Sequence, residues 1–365
     1  MSATSKFDRE KRLTALAELA RQRLAPTEAE LAQIFLGAYF HRVPSDDLAR
    51  LNPEALYASA LSHLDLARQR QPGQPLLRAY NPTETQAGGT NPHTVVEAVV
   101  DDMAFLVDSA SMVLNRLGYT IHLTIHPVLD VSRDNNGNLI ALNHRSADAR
   151  HESFLCFYIS RESRGERLDT IIYELTRVLS EVSAANTDDM AMGELALSLA
   201  HNLDSAHMPG DDETRSEAAA LCRWIAQENF TFLGAVRYEK SSDNDDLLSP
   251  KATSALGILR PRDGLDLIER LSVLPESTAA DLKDTDPVMI TKSSKRSLVH
   301  RPAYMDVLFV RHWNASGQLT GETCLVGLFS AGAYNRSVVD IPGSRQKLQH
   351  VLTRSGLPEQ GHGIK

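Results

Sequence analysis

The chain has 365 residues, 42% of them apolar and 23% charged, and a formal net charge of −9. That length exceeds one ordinary core, so two or three domains are expected, and the composition is globular rather than disordered or fibrous. The negative balance argues against nucleic acid or an anionic membrane as partner, because both reward clustered Lys and Arg.

The N-terminus, "MSATSKFDREKRLTALAELA", enters an amphipathic helix without an apolar signal region. No stretch approaches the roughly 18 apolar residues of a membrane span. Cys156, Cys222 and Cys324 lie far apart, each in an apolar run. They read as reduced core residues of a cytoplasmic protein.

Residues 7–70 are predicted helix-rich: Leu13, Leu16, Leu19 and Ala20 repeat at helical spacing, and Pro26, Thr27 and Glu28 suit a second helix start. "RQPGQPLLRAYNPTETQAGGTNPH" (70–93) collects Pro, Gly, Asn and Thr and is the expected linker. "TVVEAVV" follows as a buried strand. A helix is predicted from Asp102 to Arg116, with Leu106, Ala110, Val113 and Leu117 on one stripe and Gly118 at its C′ position. In "YTIHLTIHPV", Ile121, Leu123 and Ile125 alternate with His122, Thr124 and His126, the period of a half-buried strand. "DNNGN" is a hairpin turn and "ESFLCFYIS" a further strand. Residues 166–183 form a helix with Leu168, Ile171, Ile172, Leu175, Leu179 and Val182 on its stripe. Strand, helix, strands and helix on one sheet describe a ferredoxin-like α+β module of βαββαβ type.

A helical bridge over 188–227 leads to a second β-rich region. "NFTFLGAVRYE" places Phe230, Phe232, Val236 and Tyr238 on one strand, and "PVMITK", "AYMDVLFVRHW" and "ETCLVGLFS" are further strands, the last two joined by "NASGQ". Residues 241–254 read as an exposed loop. A helix from Ser344 carries Leu348, Val351 and Leu352 and is stopped by Gly356 and Pro358. The expected segments are a helical region and linker (1–90), a first α+β module (91–187), the bridge (188–227) and a second α+β module (228–365).

Three readings compete for the adjacent pair Asp101 and Asp102. Asp102 could cap the following helix, the two could form an acid/base dyad, or the strand-to-helix turn could hold a ligand, with an Asp taking an ammonium. His122 and His126 invite a metal, but four residues of strand span roughly 13 Å, too far for one ion without a bulge. His201 and His207 miss the helical i, i+4 spacing. "HRPAYMD" (300–306), with Arg301, Tyr304 and Asp306, reads either as packing at a strand edge or as an interface or anion site, with "YNRS" (334–337) nearby. Dinucleotide, P-loop, zincin and nucleophile-elbow patterns do not occur.

"DDMAFLVDSASMVLNRLGYTIHLTIHPVL", "WIAQENFTFLGAVRYE" (224–239), "SLVHRPAYMDVLFVRHWNASGQLTGETCLVGLFSAGAYNRS" (297–337) and "QKLQHVLTRSG" (346–356) together resemble the N-terminal region of the large bacterial NAD-dependent glutamate dehydrogenases. The resemblance implies ACT-like modules, which elsewhere bind amino acids and mediate association. The ACT turn runs roughly D-x-P-G-L-L. Here Asp101, Asp102, Met103, Ala104, Phe105 and Leu106 keep the acid and the apolar pair, while Met103 and Ala104 replace Pro and Gly. Ala104 carries a Cβ where Gly would let a ligand reach the backbone.

What the resemblance implies is a regulatory and assembly region with no catalytic residues, cofactor or metal of its own, attached to a downstream core that uses NAD to deaminate L-glutamate. Implied partners are that core, further copies of the chain and a small amino-acid or organic-acid effector. The competing class is an independent small α+β enzyme built on Asp101 and Asp102 or on the 300–306 cluster.

Overall fold

The computed structural model describes residues 3–50, 52–83, 92–143, 149–205, 211–240, 248–272, 274 and 286–355. They form two compact units, Met1–Val182 and Ser183–Lys365.

Unit 1 opens with four helices, α1 (Ala3–Arg23), α2 (Pro26–Tyr39), α3 (Ser45–Arg50) and α4 (Pro53–Leu66). Proline stands at the start of α2 and α4, where its missing N–H costs nothing. The Asn52 side chain accepts the Glu54 N–H and caps α4. The sheet follows: β1 (Leu76–Tyr80), β2 (His93–Asp101), α5 (Leu106–Arg116), β3 (Ile121–Ile125), β4 (Val128–Arg133), β5 (Leu139–Leu142), β6 (Arg150–Ser160) and α6 (Gly165–Thr187). Strand order is β1-β2-β6-β4-β5, with β3 also on β6 and every pairing antiparallel.

Residues Ser153 to Ile159 of β6 are all buried, so this central strand is covered on both faces and reads as a continuous apolar run. The N-terminal helices cover one face. Leu16, Phe35, Leu36, Tyr39 and Leu64 share one core with Val95, Val99, Phe154 and Cys156. The described N-terminal helices and β1 therefore pack into the core of the first unit rather than forming a separate region.

Several expectations change here. The presumed linker contains β1, which pairs along β2 from Leu76↔Val99 to Tyr80↔Val95; residues 84–90 lie outside the described residues. The edge strand beside β2 thus comes before α5 instead of after α6, so the chain order is not βαββαβ. The alternation expected over 121–125 breaks at His122, because a bulge lets Ile121 and Leu123 face adjacent residues, Ile159 and Tyr158. β3 and β4 are one bent path interrupted at Pro127, which has no N–H for the ladder. The hairpin turn is as expected: the Asp134 carboxylate accepts the Asn136 and Asn138 N–H groups, and Gly137 adopts a φ of +83°.

Among the expected core residues Val96, Leu106, Val113, Ile125, Leu175 and Leu179 are buried, whereas Leu117, Ile121 and Leu123 are half-buried. Replacing Leu175, 2% exposed, with Ala is expected to cost about 2–5 kcal/mol in a urea melt followed by circular dichroism. An unchanged midpoint would place the α6 stripe in solvent.

Unit 2 has α7 (Asp189–Ser205), α8 (Asp212–Trp224) capped by Asp211, a π-turn (Ile225–Asn229), β7 (Phe230–Lys240), β8 (Leu248–Pro250), β9 (Leu256–Gly257), α9 (Leu267–Leu271), β10 (Val288–Arg296), β11 (Tyr304–Trp313), β12 (Leu319–Phe329), α10 (Ala331–Tyr334) and α11 (Ser344–Ser355). The antiparallel sheet runs β10-β11-β12-β7-β8, with β9 on β7. Its two long helices precede the sheet and three of its strands form a meander, so this unit also departs from βαββαβ order. Gly257 is fixed by geometry: its φ is +59°, and a Cβ there would lie 2.1 Å from the Leu233 carbonyl oxygen. The segment expected as a loop holds β8, and 241–247 lie outside the described residues. On α11 Leu348 and Leu352 are half-buried and Val351 is 62% exposed. The stop signals Gly356 and Pro358 lie outside the described residues.

Candidate functional site

The turn that joins β2 to α5 divides its two acids between two networks. Asp101 pairs across the ladder with Glu152. Its Oδ1 accepts the Arg70 guanidinium at 2.8 Å and its Oδ2 accepts the Gly73 N–H at 2.8 Å. Arg70, with a side chain 1% exposed, also donates to Glu152 at 3.0 Å, and Arg133 grips the same Glu152 with two N–H donors at 2.7 and 2.8 Å. The basic group opposite Asp101 is therefore Arg70 of its own unit.

Asp102 is not the cap of the following helix. α5 starts at Leu106, and the cap position is Phe105, with φ +69° and no side-chain cap bond. The left-handed residue of the turn is thus a phenylalanine, a conformation costly without Gly. Asp102 Oδ1 instead accepts the Ser153 hydroxyl at 2.6 Å. His126 Nε2 lies 3.0 Å from the same Ser153 Oγ. Since the hydroxyl proton is committed to Asp102, Nε2 must donate, which leaves Nδ1 as an acceptor. Burial lowers the His126 pKa, partly offset by the Asp102 charge and reinforced by Arg42, so the ring is neutral. A serine nucleophile needs the imidazole to take its proton; here the proton points to the carboxylate, the wrong order for nucleophilic catalysis. In the same turn Met103 and Phe105 are half-buried, Ala104 is exposed and Leu106 is buried in the core.

His126 also borders a cleft of unit 1, about 760 Å³, between the end of α2 and the β3–β4 connection. Ile34, Arg42, Val43, Val128 and Asn143 are among its walls. Sequence reasoning did not find this cleft, because Ser153 and Arg42 carry no motif and the break at Pro127 becomes visible only in the strand pairing.

The 300–306 cluster in unit 2 is drawn to one strand end. Arg301 donates to the Phe329 carbonyl, and Asp306 Oδ2 accepts the Phe329 N–H at 3.2 Å. Asp306 is 3% exposed and pairs with Lys292 at 2.6 Å. Tyr334 lies beneath the Arg301 guanidinium, whereas Tyr304 lies beneath that of Arg296. The structure thus brings Arg301, Asp306 and Tyr334 together and leaves Tyr304 apart.

The histidines of the first pair have separate neighbours: His122 lies against His93 with ring centres 4.5 Å apart, and His126 hydrogen-bonds with Ser153. His201 lies on α7, while His207 falls outside the described residues. A buried trio the sequence did not suggest, His63, Glu97 and Cys156, has ligand atoms within 4.8 Å of one another. His63 and Glu97 are already engaged in hydrogen bonds. Both His63 nitrogens are bonded, to Tyr39 and the Ala98 carbonyl, and Glu97 receives Arg78 and Tyr80. Burial pushes the Cys156 thiol far up. The lone acid in "TVVEAVV" was the available signal, since a buried carboxylate requires such partners.

Residues 35–175 match the family model of the glutamate dehydrogenase ACT1 domain. The NAD-specific glutamate dehydrogenase of Halomonas elongata is 31% identical over 363 residues, covering 97% of this chain and 22% of that protein. The Pseudomonas aeruginosa protein of the same name is 31% identical over 370 residues, 99% of this chain and 22% of its own length. The Mycobacterium tuberculosis protein is 24% identical over 340 residues, 88% of this chain and 19% of its length. A solved RNA-binding light-oxygen-voltage receptor aligns over 85% of this chain at 11% identity with a TM-score of 0.15, which carries no structural argument. The chain spans about a fifth of the length of the curated relatives it matches. Along nearly its whole length this chain is similar to about a fifth of the NAD-specific glutamate dehydrogenases, and residues 35–175, within its first unit, match the glutamate dehydrogenase ACT1 domain model.

Proposed function

We propose that this chain is the non-catalytic regulatory and assembly region at the N-terminal side of a large NAD-dependent glutamate dehydrogenase. In this reading a core elsewhere in the same cytoplasmic polypeptide oxidatively deaminates L-glutamate to 2-oxoglutarate and ammonia with NAD. The present chain senses a small amino-acid or organic-acid effector and carries contacts between copies. The observation that carries the reading is the pairing of two coverages: relatives align along 97% of this chain, yet the alignment takes up only 22% of their length.

Unit 1 supplies an ACT-type sheet whose edge strand β1 is drawn from before α5. Asp101 and Asp102 serve it as anchors of the β2–α5 turn, and the exposed Ala104 and half-buried Met103 and Phe105 offer a surface to a second copy or an effector. Arg301, Tyr304 and Asp306 are the corresponding interface candidates in unit 2. No helix among the described residues is long and apolar enough to cross a membrane.

The test is a thermal-shift screen of the purified chain with the proteinogenic amino acids and central-metabolism acids. An effector at a hundred times its Kd should stabilise the fold by about 2.7 kcal/mol. A screen in which no compound moves the melt and the chain stays monomeric at all concentrations contradicts both halves of the reading.

A further inference from the structure

We propose that the cleft of unit 1 binds a small aliphatic 2-hydroxy monocarboxylate. Its volume, about 760 Å³, lies within the roughly 300–1,000 Å³ of ligand pockets. Ile34, Val43, Val107 and Val128 give it an apolar wall suited to a branched aliphatic body. Arg42 is exposed on its rim and makes no hydrogen bond or ion pair among the described residues, so its guanidinium is open to a carboxylate. His41 stands beside it, and no Asp or Glu occurs among the described lining residues. An α-ammonium therefore meets no countercharge there, which disfavours an amino acid.

His126 selects the group beside the carboxylate. The Asp102–Ser153–His126 chain fixes the ring with Nε2 donating, and Nδ1 makes no hydrogen bond among the described residues. A neutral acceptor calls for a donor, which a 2-hydroxyl supplies and a 2-oxo group lacks. The proposal rests on the regulatory reading above in one respect only: the ligand is held, not turned over.

The test is titration calorimetry of the full chain with one carbon skeleton in three forms: the 2-hydroxy acid of leucine, its 2-oxo acid and leucine itself. The expected result is saturable binding of the hydroxy acid, about tenfold tighter than either of the others, the size of one hydrogen-bond mismatch. Arg42→Gln, at an exposed position, should weaken the hydroxy acid at least tenfold. Ser153→Ala frees Nε2 and with it the ring tautomer, so the preference for hydroxy over oxo acid should collapse while apolar binding persists. A structural role for Ser153 alone would lower all three affinities together and leave their ratio intact. Absence of hydroxy-acid binding, tighter binding of leucine, an unaffected Arg42→Gln or an unmoved ratio in Ser153→Ala each overturns the proposal without touching the regulatory reading. Consumption of the bound acid when NAD is added overturns the regulatory reading and not the cleft.

Discussion

Glu152→Ala is expected to lower the stability of unit 1 by about 3–5 kcal/mol, the range for breaking a buried ion pair by removing one partner. Glu152 has a side chain only 2% exposed and is shared by Arg70 and Arg133, whose side chains are 1% and 8% exposed. Without it Arg133 keeps only carbonyl acceptors, those of Ala67 and Gly137, and Arg70 keeps Asp101 and the Gln74 carbonyl. An uncompensated cation is then held away from water, which costs more than the lost bonds themselves. Asp101→Asn should cost less, because Asp101 is 34% exposed and water can replace part of what is lost. Urea unfolding followed by circular dichroism measures both. A loss below 1 kcal/mol for Glu152→Ala would mean that solvent reaches the network.

Unit 2 should carry two opposed proton-linked terms that nearly cancel. Burial raises Glu322 from 4.5 to about 7, against the lowering effect of Arg311, and its Oε1 has no hydrogen-bond partner among the described residues. Burial lowers His312 from 6.5 to about 4, helped by the Arg237 charge, while its Nε2 contacts Thr323 at 2.7 Å. Between about pH 4.5 and 7 the folded state holds a proton on Glu322 that the unfolded chain has released, so this group makes stability fall as pH rises. Between about pH 4 and 6.5 the unfolded chain holds a proton on His312 that the folded state excludes, so this group makes stability rise with pH. Each shift corresponds to about 3 kcal/mol. Asp188 and Glu217, held low by Arg260 and Arg345, lose their contribution only as pH falls further into the carboxylate range.

Glu322→Gln should therefore leave a stability that climbs from pH 4 to 6.5 and exceeds the parent chain at pH 8. His312→Gln should leave one that falls from pH 4.5 to 7. Both tryptophans, Trp224 and Trp313, belong to unit 2, so tryptophan fluorescence during urea unfolding reports this unit directly. Parallel pH profiles for the two variants would show that these side chains are hydrated in the folded state.

The parts of this fold legible in the sequence are those with a single strong period. The α6 stripe, the buried β6 run and the β11–β12 hairpin all lie where Leu175, Phe154 and Asn314 place them. What was hidden depends on partners distant in sequence. "LLRAY" looks like linker until β2 is there to pair with it, and Asp102 looks like a cap until Ser153, 51 residues away, takes its carboxylate. The bulge at His122 shifts the register of β3 on β6 between Ile121 and Leu123, whereas β3 and β4 keep a single register on β6 across the interruption at Pro127, which supplies no N–H to the ladder. Site residues followed the same rule. The acids of "DDMAFL" were visible as charges in an apolar setting, but Arg70, Glu152 and His126 acquire their roles only through contacts across the sheet.

The most direct test of a regulatory rather than catalytic chain is NADH absorbance after mixing the purified 365-residue protein with glutamate and NAD. The account predicts no NADH above the protein-free rate at any glutamate concentration. NADH formation that scales with protein and saturates with glutamate would contradict it.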